Sequence, residues 1–269
     1  MKWRKERSGL SIDNKTTFNQ VAELYDRARN RYPDRLFDGL VRLAGLAADA
    51  RILEIGCGTG IATLPLAERG YRVVGVELGP QMAEVARRKL ARFAQVDIQT
   101  AAYEDWLPPE EPFDLVISAT AFHWIDPQVK YRKTAHILKA GGHLAVVKYH
   151  HVAGGDDSFF ERVQSCYLRC MPGASELRLP QPQELQPDTA QLEASGLFER
   201  PVIRNWDTIE TYTRQAYIEL LSTYSNHIAL DAANRAQLLD CIGGIIDREY
   251  GGQVRKRYLH ELIIARKLV

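Results

Sequence analysis

Net charge is almost absent: 35 Lys and Arg stand against 34 Asp and Glu, a formal +1. A nucleic-acid binder usually carries a basic excess, so nucleic acid is disfavoured as a partner. Long apolar runs are missing too. No stretch approaches the roughly 20 consecutive apolar residues of a spanning helix, and no membrane partner is expected. Cysteine is scarce, four in 269 residues: Cys57, Cys166, Cys170 and Cys241. A chain this long buries a full core without staples, so a disulfide framework is not needed. Cys166 and Cys170, four apart, read as two small buried hydrophobes. No nearby Cys or His pair completes a tetrahedral set, and no metal site is expected. No internal repeat or low-complexity tail occurs. The charged start, Met1 to Arg7, is followed by no apolar h-region, so it does not read as a secretory signal and the default location is the cytoplasm. What is present is 45% hydrophobic and 26% charged residues, which excludes disorder and allows one large or two small domains.

The first half alternates helix and strand. Residues Phe18 to Leu43 are helix-rich and broken at Pro33, which lacks a donor N–H. Ile52, Leu53 and Ile55 form a buried strand entering a glycine turn, with a helix from Ile61 to Arg69 behind it. Residues 71–78 read as a second strand, and Pro80 opens the next helix. Phe93–Ile98, Phe113–Thr120 and His143–His151 complete five strands, with a helix over 129–142. Pro201–Trp206 reads as a sixth strand, 208–248 as helical, and 259–269 as a last strand. Such alternation predicts parallel pairing with right-handed crossovers, a doubly wound α/β sheet whose ligands bind at the carboxyl ends of the strands.

Most chemical information sits in Glu54-Ile55-Gly56-Cys57-Gly58-Thr59-Gly60. Glycines belong where a ligand approaches the backbone or where φ must be positive. A dinucleotide fingerprint has its glycines at positions one, three and six; here they stand at one, three and five, with Ile61 sixth. A P-loop lysine is absent as well. Glu77, about 20 residues on at a strand end, suits the two hydroxyls of a ribose.

With LEIGCGTG (53–60), VVGVEL (73–78), YEDW (103–106), FDLVISATAFHW (113–124) and LKAGGHLAVV (138–147), the region from Tyr25 to Tyr149 resembles the class I S-adenosylmethionine-dependent methyltransferases. Phe122-His123-Trp124 resembles, more narrowly, the trans-aconitate methyltransferase-like branch. The resemblance implies a mostly parallel, seven-stranded, Rossmann-like sheet with an N-terminal helical lid and a helical cap insertion. It divides the chain into a lid (1–47), a cofactor-binding core (48–151), connector helices and sixth strand (152–207), a cap (208–250) and a last strand (251–269). It also implies S-adenosyl-L-methionine as cofactor and S-adenosyl-L-homocysteine as product. Gly56, Cys57, Gly58, Thr59 and Gly60 would line the methionine and ribose. Glu54 would lie near the amino group, Glu77 would hold the ribose, and Leu78 and Met82 would pack on the adenine. Tyr103 and Glu104 would border the adenine edge; Ala102 stands where many relatives have an acid. Ala119 would lie beside the cofactor. Tyr25 and Arg29 resemble lid residues that reach the cofactor carboxylate, although Asn30 stands where relatives often have proline.

The implied reaction is direct displacement at the sulfonium methyl group onto a small-molecule acceptor, with O- or carboxyl-methylation favoured. A protonated nucleophile needs a base and a carboxylate does not. His123 is the first candidate base, with His150 and His151 second. Trp124, His150, Trp206, Tyr224 and His227 are candidate acceptor contacts. The expected assembly is a monomer or homodimer. A nicotinamide dehydrogenase is disfavoured by the glycine spacing. A non-catalytic S-adenosylmethionine-binding sensor or partner subunit, and an RNA or protein methyltransferase, remain alternatives. The basic runs at residues 4–8 and 87–89 are the only hint of RNA, and the second reads as a solvated helix face.

Overall fold

The computed structural model describes residues 18, 21–171 and 173–268. The basic run at residues 4–8 and the opening stretch of the expected lid lie outside the described residues.

Two helices lead in, α1 (Ala22–Ala28) and α2 (Asp34–Ala44). They part at Pro33, and α2 closes on Gly45 in the left-handed region. Then follow β1 (Arg51–Ile55), α3 (Thr63–Glu68), β2 (Arg72–Glu77), α4 (Pro80–Leu90), β3 (Val96–Thr100), β4 (Phe113–Ala119), α5 (Pro127–Ile137) and β5 (Leu138–Val152). Beyond β5 come α6 (Asp157–Arg162), α7 (Gln164–Cys170), α8 (Ala190–Ala194), β6 (Val202–Thr213), α9 (Arg214–Leu221), α10 (Ser225–Ile228), α11 (Ala232–Glu249) and β7 (Gln253–Arg266). Helix starts are set locally. The Asp126 side chain accepts from Gln128 N at 2.8 Å, and that of Asp231 from Asn234 N at 2.9 Å.

The seven strands form one sheet in the order β3-β2-β1-β4-β5-β7-β6. β1 to β5 pair in parallel; β7 alone is reversed, antiparallel to both β5 and β6. The expected doubly wound, mostly parallel seven-stranded sheet is therefore present. Leu36, Phe37, Leu40 and Leu66 cover one face, and Trp106, Phe113, Ile137, Leu192 and Phe198 the other. A further core of Phe159, Tyr217, Leu238, Ile242, Ile246 and Tyr258 joins the cap helices to β7.

Three local expectations give way. The helix expected over 129–142 stops at Ile137. Leu138 already pairs with Phe113, across a register shift in β4, and β5 runs for 15 residues. The sixth strand continues through Thr213 instead of ending at Trp206, because β7 offers a partner along its whole length, down to Thr213 opposite Gln253. The inward positions of that extension, Thr208, Glu210 and Tyr212, are polar, so the period-two signal is faint. Finally, Cys166 is bonded to Cys241. Packing of α7 on α11 brings their Cα atoms to 5.9 Å, inside disulfide range, which spacing along the chain could not indicate. Cys170 is buried and free.

Candidate functional site

β1 delivers a buried chain to the glycine loop, and Gly56, Gly58 and Gly60 all take positive φ, 67°, 57° and 75°. They are not equivalent. A Cβ on Gly56 would lie 2.4 Å from the Ala121 Cβ and one on Gly60 2.9 Å from Leu90 Cδ1, so these two permit close approach of the turn after β4 and of α4. At Gly58 the nearest atom is Met82 Cε at 3.5 Å, so the need there is for backbone freedom. Glu77 braces the loop from the end of β2: Gly58 N donates to its Oε2 at 2.9 Å and Gly79 N to its Oε1 at 2.8 Å. Burial pushes the Glu77 carboxyl up despite these bonds.

Glu54, 1% exposed, accepts from Thr63 Oγ1 at 2.6 Å. Burial pushes its carboxyl up to about 7, against that bond and the attraction of Lys89. The lid is tied down by Asp26 on α1, which accepts from Thr59 Oγ1 at 2.7 Å and Lys89 Nζ at 2.6 Å. Burial works against the charged form of Asp26, but the bonds from Lys89 and Thr59 outweigh it and hold the carboxyl below its usual range. Next along, Arg29 donates to Tyr149 OH and to the Thr223 carbonyl, both at 2.7 Å, and lies 4.7 Å from the Tyr25 and 4.8 Å from the Tyr224 ring centroids.

These elements enclose a narrow cavity of ≈ 40 Å³ whose walls include Tyr25, Arg29, Glu54, the glycine loop, Ala119 and Tyr149. Thr120, also in its wall, is the one described non-glycine residue with positive φ, 55°. Its Oγ1 lies 3.4 Å from Tyr32 OH. Strain of this kind typically costs about 1–3 kcal/mol and gathers at functional sites.

Residues 52–142 match the methyltransferase-domain family. An uncharacterized methyltransferase of Mycobacterium tuberculosis is 35% identical over 135 residues, covering 50% of this chain and 53% of the relative. A demethylmenaquinone methyltransferase of Tropheryma whipplei is 31% identical over 141 residues, covering 50% and 58%. The chain spans about half the length of the curated relatives it matches. Among solved structures, a candidate type II methyltransferase of Anaeromyxobacter dehalogenans superposes with a TM-score of 0.63 at 25% identity, covering 88% of this chain and 97% of that one. Residues 52–142 therefore form a methyltransferase domain. The fold is shared more widely: a phosphoethanolamine N-methyltransferase of Haemonchus contortus, solved with S-adenosylhomocysteine, gives a TM-score of 0.53 at 16% identity, covering 93% of this chain and 58% of that one.

Around the cavity, Glu54, Gly56, Cys57, Gly58, Thr59 and Ala119 of this domain meet Tyr25 and Arg29, which precede it in the chain. Glu77 stands behind Gly58, and Met82 packs beneath α1 on Ala22. Leu78 is half-buried after β2. Tyr103 and Glu104 turn away toward α5. The Tyr103 hydroxyl lies 3.0 Å from Thr134 Oγ1 with its ring stacked on Trp106, and Glu104 accepts from Asp126 N. His123, on a single 3-10 turn, is exposed and lies against Trp124; neither lines the cavity. Trp206 packs on α2, where a Cβ on Gly39 would meet it at 2.7 Å. The pleat separates the two histidines of β5: His151 joins Tyr149, Tyr224 and Tyr258, while His150 faces Glu261. Tyr224 and His227 do come together beside Arg29, their rings 5.6 Å apart. Asp26, Tyr32, Thr120 and Tyr149 were not singled out from sequence. Asp26 sits between the two lid residues that were, and its acid invited inspection.

Proposed function

We propose that the chain is an S-adenosyl-L-methionine-dependent methyltransferase acting on a small-molecule acceptor by direct displacement, with oxygen or carboxylate as the favoured nucleophile. The observation that carries this reading is the pairing of the Glu77-braced glycine loop with a caged guanidinium, Arg29, in one cavity. Arg29 has tyrosine rings and two oxygen acceptors around it, and its Nε has no partner, so it suits a carboxylate. Glu77 suits a ribose diol, because each of its oxygens has a lone pair to spare. The residues present therefore fit the cofactor. Bound there, S-adenosylmethionine supplies the electrophilic methyl carbon.

In this reading the chain's own residues align and exclude water. Glu54 meets the amino group, the loop holds methionine and ribose, and the lid pinned by Asp26 closes over them. His123 is too exposed to serve as a base in a dry site, which favours a nucleophile that is already ionised. The resemblance to the trans-aconitate-like branch fits such an acceptor. The protein acts as a monomer or homodimer in the cytoplasm; the Cys166–Cys241 bond is the one feature that pulls against a reducing compartment.

Calorimetry of the whole chain with S-adenosylmethionine, S-adenosylhomocysteine and a nicotinamide dinucleotide tests the ligand. The first two should bind and the third should not; no binding of the first two sinks the proposal. Transfer of labelled methyl to a panel of small acids, phenols and amines tests catalysis. Binding with no turnover of any acceptor moves the reading to a sensor or partner subunit.

A further inference from the structure

A second buried cation lies beyond the cofactor cavity. Lys256, on β7, is 5% exposed. Its Nζ lies 5.5 Å from the Tyr258 ring centroid and 5.6 Å from those of Phe160, Tyr217 and Tyr224, and it donates to Tyr224 OH at 3.5 Å. Among the described residues no carboxylate pairs with it. Glu210 stands opposite it in the β6–β7 register, but no ion pair joins them. Burial disfavours an ammonium, and the surrounding rings offset that through cation–π attraction without supplying a counter-charge. Burial, reinforced by the charge of Arg29, pulls the Lys256 ammonium down to about 7.

Lys256 and the cofactor cavity share walls. Arg29 and Tyr149 line the cavity. Arg29 also lies 4.8 Å from the Tyr224 ring, and Tyr149 lies 5.7 Å from Tyr258. The same neighbourhood gathers buried polar atoms without partners: Arg29 Nε, both side-chain heteroatoms of Asn30, and the Nδ1 atoms of His151, His227 and His260. Such atoms are rare in native proteins, and their concentration points to a polar guest. Burial and the two cations hold His151 and His227 in their neutral forms.

We propose that this buried cluster, set against the cofactor cavity, is the acceptor site and that Lys256 selects small aromatic acids, whose carboxylate pairs with Nζ. This rests on the methyltransferase reading and names its acceptor class. The charge selects an anion, since Arg29 and Lys256 have the same sign. The rings of Tyr149, Tyr224 and Tyr258 suit a flat, apolar body. Lys256 is a binding and specificity residue here, not a base.

The test is calorimetric titration of the full chain with benzoate, benzyl alcohol and benzylamine, with and without S-adenosylhomocysteine. Benzoate should bind at least about tenfold tighter than the other two. Lys256→Met should lose about 30-fold or more of the benzoate affinity, as expected when one partner of a buried charge pair is removed, while Lys256→Arg keeps most of it. Benzoate affinity of the wild type should fall as pH rises past about 7, where Lys256 releases its proton, and this dependence should vanish in Lys256→Met. The ionisable groups facing Lys256 are Tyr217, Tyr224 and Tyr258, with His151 and His227 beyond them and the Arg29 charge nearby; the histidines are already neutral in that range.

Lys256→Met should also melt no lower than the wild type, because it removes an unpaired buried charge. No benzoate binding, equal binding of the three probes, or unchanged benzoate affinity in Lys256→Met overturns the proposal. A lower melting point with unchanged benzoate affinity overturns it too, by making the ammonium a structural member of the cage. S-adenosylhomocysteine tests the methyltransferase reading separately: its failure to bind, with benzoate still bound through Lys256, would sink that reading and keep the anion site.

Discussion

The two ends of the proposed site are built in opposite ways. At the cofactor end, backbone does the shaping: three left-handed glycines within five residues, braced by a carboxylate, with a second carboxylate, Glu54, buried behind them. At the cap end, side chains do it: tyrosines, histidines and Lys256, drawn from β5, the cap and β7. The first end carries buried acids and the second buried cations. Arg29 stands between, touching the cavity and Tyr224. The contrast teaches that one short local motif can shape a loop through its backbone, whereas the aromatic cluster is assembled from positions distant along the chain.

Four experiments can break or sharpen this contrast. The largest effect is expected from replacing both Cys166 and Cys241 by serine. The bond closes a loop with a sequence separation of 75, worth about 4 kcal/mol in the chain-entropy account. Thermal melts should drop by about 10 °C or more, yet affinity for S-adenosylhomocysteine should stay within about twofold, because the bond joins cap helices and not the loop. Collapse of cofactor binding would show that the two ends are not independent.

Gly58→Val comes next. Its φ of 57° disfavours a branched residue, and no backbone stands in its way, so the chain should still fold. Calorimetry should show a loss of about 100-fold or more in affinity for S-adenosylmethionine, with Lys256-dependent benzoate binding retained. Unchanged cofactor affinity in the folded variant contradicts the loop assignment.

The opposite charges give opposite pH responses. Glu54 holds its proton up to about 7, and a bound ammonium favours the carboxylate. Cofactor affinity should rise by up to about tenfold between pH 6 and 8, then level off, and Glu54→Gln should flatten the rise. Benzoate affinity moves the other way over the same range. Without ligand, Glu54 makes folding less favourable as pH rises from its unfolded value of 4.5 to about 7, since the native state keeps a proton that the unfolded chain has released. Parallel responses of the two ligands would erase the electrostatic contrast.

Asp26→Asn should have the smallest effect. Asparagine keeps an acceptor for Thr59 but loses the charge that Lys89 pairs with. Cofactor affinity should weaken by about threefold to fivefold, chiefly through faster release, as stopped-flow dissociation would show. No change in the release rate would mean that Asp26 does not latch the lid.

The amount legible in the sequence differs between the two ends for the same reason. Glu54, Gly56, Gly58 and Glu77 announce themselves because strand, turn and helix follow within a few residues, and a turn with φ > 0 leaves a glycine signature. Tyr103 adjoins the cofactor motif in sequence, but its ring stacks on Trp106 and its hydroxyl lies against Thr134 Oγ1, partners that no local pattern indicates. His123 stands out by its place after β4, and only the structure shows that its 3-10 turn leaves it exposed. Of the cap candidates, Tyr224 and His227 come together beside Arg29, whereas Trp206 turns to α2. Lys256 carried no mark at all. In sequence it is one basic residue in Arg255-Lys256-Arg257, and only the pleat of β7 turns it inward while its neighbours turn out.

What the sequence determined by itself is the α/β alternation, the strand count and the glycine loop, because periodicity, capping and positive φ are properties of neighbouring residues. What only the tertiary structure decided is which cysteines meet, how far β6 runs, and which side chains share the cluster around Tyr224. Those contacts join residues nearly 200 positions apart, as the hydrogen bond from Arg29 to Thr223 does at a separation of 194, beside Tyr224. A partner that far along the chain leaves no local pattern, and packing alone brings it into place.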